Sequence, residues 1–360
     1  MISKSKVKIS ISFLFAFTLL FSYVNWYGVK LTPDSYYYIN ASNSFTIEYL
    51  LNTYIHWPPL FPLALSICKE HTQEWTLLLN FFALFFSIVI WFYLGRKWIT
   101  KDNRYLLYTF TIVFCTPIFA VSHFVWSEAL FILLYSFFIL AMYKIVYSNN
   151  NTWTYTLILS GILLCYQRHV GIVMIGGFIF GVILSNQIRK KLLLTLLITL
   201  SLGSSWLFIQ IINGDNIQVQ EVIPFLDLWR NFVLISGEIT NWFLPFFHFK
   251  VISIIIFILL LFFIFRYKSK LNNKLNYVNI MIFNIIVYLA FFTVVPASPD
   301  DISRFLSILY YPIIFVLFVI FPNDLHSLNK YKNIVYIVLV LFIVYKVVRV
   351  IKNTIIWHSV

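Results

Sequence analysis

Charge is what this sequence has least of. Asp, Glu, Lys and Arg make up 11% of its 360 residues, against about 25% in an ordinary soluble domain. With 61% hydrophobic residues and a mean hydropathy of +0.86, a soluble globular fold is excluded. Cysteine is nearly absent. Cys68, Cys115 and Cys165 are odd in number, far apart and set in apolar context, which excludes a disulfide framework and a cysteine metal site. There is no Walker motif, G-x-S-x-G, H-E-x-x-H or C-x-x-C pair, so nucleotide hydrolysis and zinc proteolysis have no support. No repeat of fixed period and no low-complexity tract occurs. Asn149-Asn150-Asn151 and Asn272-Asn273 read as polar turns.

What remains is a series of apolar runs of about 20 residues, the mark of a polytopic helical membrane protein. The runs do not alternate as β-barrel strands would. The fold class expected is therefore all-α, a transmembrane helical bundle forming a single domain over 1–360. Candidate spans are 9–29, 74–95, 104–121, 124–147, 153–166, 169–185, 190–212, 243–265, 276–296, 304–321 and 333–350, about eleven in all. The pair 153–166 and 169–185 is short, and Gln167-Arg168-His169 between them must face water or protein. The first run follows Lys4, Lys6 and Lys8, is long, and precedes no Ala-x-Ala-like site. It reads as an uncleaved helix with a cytoplasmic N-terminus.

The net charge of +13 fits this topology better than nucleic-acid binding. Alternating the spans puts most of the basic residues in inside loops, as the positive-inside rule requires. Of the thirteen acids, only Asp102 and Asp324 then fall inside. The outer face becomes a carboxylate-rich surface with Arg168, Arg230 and Arg304 among the acids. Two larger outside loops are expected, 30–71 and 213–242. In the first, 43–54 and 57–68 suggest short interfacial or juxtamembrane helices, the latter opened by Pro58 and Pro59. The second holds Trp229, Arg230 and Trp242, which suit the interfacial belt or stacking on a sugar. The abundance of isoleucine, lysine and asparagine suggests an AT-rich bacterial genome, hence the bacterial plasma (inner) membrane.

The candidate site starts at Asp34, in Pro33-Asp34-Ser35-Tyr36-Tyr37-Tyr38. On its own it reads equally as a solvated acid or a helix N-cap. Its company decides. Glu128, in Trp126-Ser127-Glu128, is an acid at or within the outer end of a span, which is costly and marks function or a helix start. Two such acids suit general-base work, or a divalent metal shared with His123 or His56. Arg168 and His169 lie between apolar runs, so the arginine must snorkel, pair with an acid or bind an anion such as phosphate. Arg304 follows Asp300 and Asp301, and a local salt bridge is its plainest reading. Two arginines and two acids on one face suit a phosphate-bearing substrate and a nucleophile that must lose a proton.

Taken in order, these residues resemble the GT-C class of integral membrane glycosyltransferases, which includes protein mannosyltransferases and aminoarabinose transferases. The resemblance rests on Asp34 after the first span, the run Trp57-Pro58-Pro59-Leu60-Phe61-Pro62, Ser127-Glu128 opening a later helix, Arg168 with Gly171, and Arg304-Phe305 followed by Pro312. It is strongest over residues 1–185. It implies a polyprenyl-phosphate sugar donor, an extracytoplasmic acceptor, Asp34 as base, Glu128 as its helper or a metal ligand, and Arg168 or Arg304 on the donor phosphate. His169, His56, Trp57 and Tyr37 are the further substrate-binding candidates. Many members carry an acidic pair where Asp34 is followed by Ser35, and many carry a soluble C-terminal domain. The rival readings are a flippase for lipid-linked saccharides and a non-catalytic subunit of a polysaccharide assembly complex.

Overall fold

A computed structural model describes residues 4–46, 57–148, 152–185, 190–212, 225–243, 250–268, 276–295, 299–320 and 332–359. Among them the fold is helical. Its only β pairing is an isolated parallel bridge between Lys30 and Phe124. That bridge joins the segment after the first helix to the turn before the helix Glu128–Ser148.

Among the described residues six helices are long and apolar enough to cross a bilayer: Lys4–Val24, Leu60–Trp98, Asp102–Ser122, Glu128–Tyr147, Lys190–Ile212 and Tyr277–Val294. A seventh span results if Asp301–Ser307 and Tyr310–Ile320, bent by 55° at their junction, are counted as one. The eleven spans expected from hydropathy are not confirmed. The physical reason is length. Val170–Ile183 has 14 residues, about 21 Å at the helical rise, short of a hydrocarbon core about 30 Å thick. Thr152–Gln167, with 16 residues, meets it at Gln167-Arg168-His169.

Local chemistry sets the helix ends. Thr72–Trp98 carries Arg96 and Lys97 in its last turn, where positive charge complements the helix dipole. Lys6 is buried and its Nζ donates to the carbonyls of Ile99 and Thr100 at 2.7 and 2.8 Å. Asp102–Val113 stops at Phe114, and Thr116–Ser122 restarts with proline in its first turn. The core is continuous across the bundle and rich in rings, including Phe17, Trp91, Phe119, Tyr135, Phe178, Tyr310 and Phe315. Helices Val170–Ile183 and Asn276–Val294 pack closely. A Cβ at Gly177 or Gly181 would lie 3.0 Å from the Cα of Asn284 or Ile280, so glycine sets that approach.

Two of the expected loop segments contain helices. Pro33–Asn43 is an α-helix, and Leu60–Leu65 continues through a 3-10 helix, Ser66–His71. The first ends where an interfacial helix over 43–54 was expected, most of which lies outside the described residues. The second matches the short helix expected after Pro58 and Pro59. Phe225–Asn241 is a helix as well.

Candidate active site

The helix Pro33–Asn43 begins at Thr32 rather than at Asp34. Thr32 is the N-cap, its amide donates to Ser35 Oγ at 3.0 Å, and Pro33 occupies the first turn. Asp34 is therefore released from capping and sits in the first turn. The helix is then pinned to the bundle. Ser35 Oγ donates to the Val125 carbonyl at 3.1 Å, and Tyr38 Oη lies 3.4 Å from Ser127 Oγ. Tyr38 packs edge-on against Trp57 and Phe61, with centroids 5.7 and 4.9 Å away. Burial raises the Tyr38 phenol, so it stays neutral. The Lys30 amide donates to the His123 carbonyl at 2.8 Å, and Val125 returns a bond to the Lys30 carbonyl at 3.2 Å. Asp34 and Glu128 are fixed on neighbouring segments by these bonds.

One arginine joins the two acids. Arg304 Nη1 donates to Asp34 Oδ2 at 2.5 Å, and its Nε donates to Glu128 Oε1. Arg168 Nη1 donates to the same Glu128 oxygen and lies 3.2 Å from Ser127 Oγ. Gln167 Nε2 donates to the Ser127 carbonyl at 2.8 Å. The result is a chain of alternating charge, Asp34–Arg304–Glu128–Arg168. The Glu128 side chain is wholly buried, Arg304 is 6% exposed and Asp34 is 33% exposed. Asp301 Oδ1 stands 3.9 Å from Arg304, so the local salt bridge read from sequence is the weaker of its contacts. Aromatic faces cover both cations. Arg304 lies over Trp126 at 4.4 Å, and Arg168 lies over Phe305 at 5.1 Å. Trp126 is held by its Nε1–H donating to Thr32 Oγ1 at 2.9 Å.

Other candidates lie elsewhere. His169 faces Gln210 Oε1 at 2.8 Å, and burial lowers its pKa. Tyr37 is exposed. Trp57 supports Tyr38 from the side. His56 lies outside the described residues. His123 is buried and its ring neighbours are Phe124, Trp357 and His358. Burial lowers its pKa to about 4. Among the described residues, Asp34, Glu128 and His123 do not gather into a metal-binding group. Glu128 is already gripped by two guanidinium groups, which would repel a cation, and no group of three or more His, Cys, Asp or Glu suited to a metal occurs among the described residues. Sequence reasoning missed Trp126 and Phe305 as covers for the arginines. Their positions directly before Ser127-Glu128 and directly after Arg304 were the available signal.

The described residues carry a buried charge network that opens at one carboxylate, on a helical bundle that is GT-C-like in fold. Among solved structures the chain is similar to ArnT from Cupriavidus metallidurans, an aminoarabinose transferase of the GT-C class. For its apo state the TM-score is 0.61 at 13% identity, covering 89% of this chain and 61% of that one. For the form bound to undecaprenyl phosphate the values are 0.57 and 12%, with 85% and 59% covered. This chain thus spans about three fifths of the ArnT length. At such identity the likeness is one of fold. No protein-family model matches the sequence, and no curated protein matches it significantly.

Proposed function

We propose that the protein is a membrane glycosyltransferase that moves a sugar from a polyprenyl-phosphate carrier to a hydroxyl acceptor at the non-cytoplasmic face. The observation that carries this reading is the Asp34–Arg304–Glu128–Arg168 chain. It gathers two cations, a buried carboxylate and a partly exposed one from four distant segments. The fold supports it, since the similar ArnT has been seen with undecaprenyl phosphate bound.

Each group has a task in that reaction. Planar guanidinium groups suit phosphate oxygens. Arg304 Nη1, held by Asp34 in this structure, passes to the donor phosphate when the donor arrives, and the carboxylate is freed. Asp34 then takes the proton of the acceptor hydroxyl as its oxygen attacks the anomeric carbon. The bond from that carbon to the phosphate oxygen breaks, and its electron pair leaves with the polyprenyl phosphate. Direct displacement inverts the anomeric centre. Arg168 and Arg304 stabilise the charge gathering on the leaving phosphate. Glu128, wholly buried between the arginines, is a positioning residue that holds both guanidinium groups in place.

The test is transfer from a labelled polyprenyl-phosphate sugar pool in membranes containing the protein, beside Asp34→Asn. Wild-type membranes should transfer and the variant should not, at equal expression. Transfer indifferent to Asp34 would remove the base.

A further inference from the structure

Arg304 has a third carboxylate neighbour, which the reaction above leaves idle. The Nη1 atom that donates to Asp34 Oδ2 at 2.5 Å also stands 3.9 Å from Asp301 Oδ1. Asp301 is 43% exposed and lies one turn before Arg304 on Pro299–Ser307. The first contact is a hydrogen bond, and the second is an ion pair only.

The backbone that carries both residues is held still. Ser303 Oγ donates to Glu238 Oε1 at 3.1 Å, Tyr288 Oη to the Phe305 carbonyl at 2.8 Å, and Ser307 Oγ to the Arg304 carbonyl at 2.6 Å. The guanidinium is held as well, since its Nε donates to Glu128 Oε1 and Trp126 covers its face at 4.4 Å. Its Nη1 end faces two acids. A movement of about 1 Å toward Asp301 brings Nη1 within hydrogen-bond distance of that carboxylate and loosens the bond to Asp34. The competing account is that Asp301 simply complements the dipole at a helix start. That role stabilises the helix and has no connection to Asp34.

We infer that Asp301 is a positioning residue for the transfer, taking over Nη1 of Arg304 when Asp34 turns to the acceptor hydroxyl. This rests on the transferase reading and adds a step to it. A carboxylate oxygen that accepts from a guanidinium has a lone pair engaged, so Asp34 must shed that bond before it takes a proton. Nη1 carries two hydrogens. With Asp301 accepting one and a donor phosphate oxygen the other, neither is left unpaired in a covered site, where an unmade bond is costly. The exchange moves no proton and breaks no covalent bond. It leaves the Glu128 contact of Nε in place, so the arginine stays in the site throughout.

The test compares Asp301→Asn and Asp301→Glu with wild type, as full chains in nanodiscs. Transfer from labelled polyprenyl-phosphate sugar gives kcat and the donor KM, and titration with undecaprenyl phosphate gives lipid binding. The inference expects Asp301→Asn to lower kcat about tenfold, the size of one charge-assisted bond. Donor KM and lipid binding should stay within about twofold, because the Arg168 and Arg304 contacts to phosphate remain. Asp301→Glu, which keeps the charge, should recover most of the rate. A double-mutant cycle on the unfolding midpoint reads the same exchange without transfer. Asp301→Asn should lower the midpoint about 2 °C more in an Asp34→Asn background, where Arg304 turns to Asp301, than in wild type. A helix-start role lowers it equally in both. Unchanged kcat in Asp301→Asn, lipid binding lost in step with transfer, no recovery with glutamate, or additive midpoints would overturn the inference. If wild type transfers nothing, the transferase reading falls, and the midpoint cycle decides whether Asp301 is the second partner of Arg304.

Discussion

Glu128 and Glu238 are both buried carboxylates whose Oε1 collects more than one donor, and their partners differ. Glu128 contacts two guanidinium groups, of Arg168 and Arg304. Glu238 accepts from two neutral donors, Trp242 Nε1 and Ser303 Oγ, each at 3.1 Å, with Arg349 Nη2 standing off at 3.8 Å. The first arrangement needs a full negative charge to hold two cations apart from lipid and close to Asp34. The second fastens Phe225–Asn241 to Pro299–Ser307 and works with a neutral acceptor. Burial raises the Glu238 carboxyl above the usual carboxylate range, while Arg349, Ser303 and Trp242 draw it back in part. The difference is that Glu128 has charged partners and one of them, Arg304, reaches the partly exposed Asp34, which is why the proposed function places the reaction there.

The same substitution at both acids separates the two roles most sharply. Glu128→Gln leaves two buried guanidinium groups short of their counter-charge, and breaking such a pair costs about 3–5 kcal/mol. Thermal unfolding of the purified protein should show a large loss of stability. Glu238→Gln keeps an acceptor for Trp242 and Ser303 and should cost no more than about 1 kcal/mol in the same measurement. Equal losses would erase the distinction.

Next in size is the effect of the arginines on the donor. Arg304→Met and Arg168→Met should each weaken undecaprenyl phosphate binding by about tenfold or more, as expected for a charge-assisted bond lost from a covered site. Arg349→Met, in the other cluster, should leave that binding within about twofold, since its removal takes no contact from Arg168 or Arg304. The measurement is titration of the lipid into protein in nanodiscs.

The smallest effect concerns pH. The Glu238 carboxyl is raised in the folded protein, so the folded state holds its proton more tightly than the unfolded one. Its contribution to stability is complete below the ordinary carboxylate range and is lost as pH rises through the folded value. Wild type should therefore lose stability relative to Glu238→Gln as pH increases from the carboxylate range, read as unfolding midpoint against pH. A difference that is flat with pH would contradict the burial argument.

Much of the site could be read from sequence because charge is so scarce. In a chain this apolar, Asp34, Glu128, Arg168 and Arg304 each stood out against their surroundings, and each ends in one network. Their pairing could not be read. Asp34 and Arg304 are 270 residues apart, and local sequence pointed Arg304 to Asp300 and Asp301. The count of about eleven spans is not confirmed: the pair 153–166 and 169–185 already read as short, and Val170–Ile183 has 14 residues. Phe225–Asn241 was read as part of an outside loop. Asn231, Ile235, Glu238 and Ile239 are buried at helical spacing, but Asn231, Ser236, Glu238 and Thr240 are all buried polar residues and lower the apolar signal. The start of Pro33–Asn43 turned on Thr32 and Ser35, a reciprocal cap that relieved Asp34 of the role.

The central claim is that Asp34 does chemistry on a substrate whose phosphate the arginines hold. The most direct test measures two quantities on one variant, Asp34→Asn in nanodiscs: sugar transfer at saturating labelled donor, and binding of undecaprenyl phosphate. The account predicts transfer reduced by at least about a hundredfold, the scale of a lost general base, with lipid binding retained. Transfer that persists, or lipid binding lost together with transfer, would contradict it.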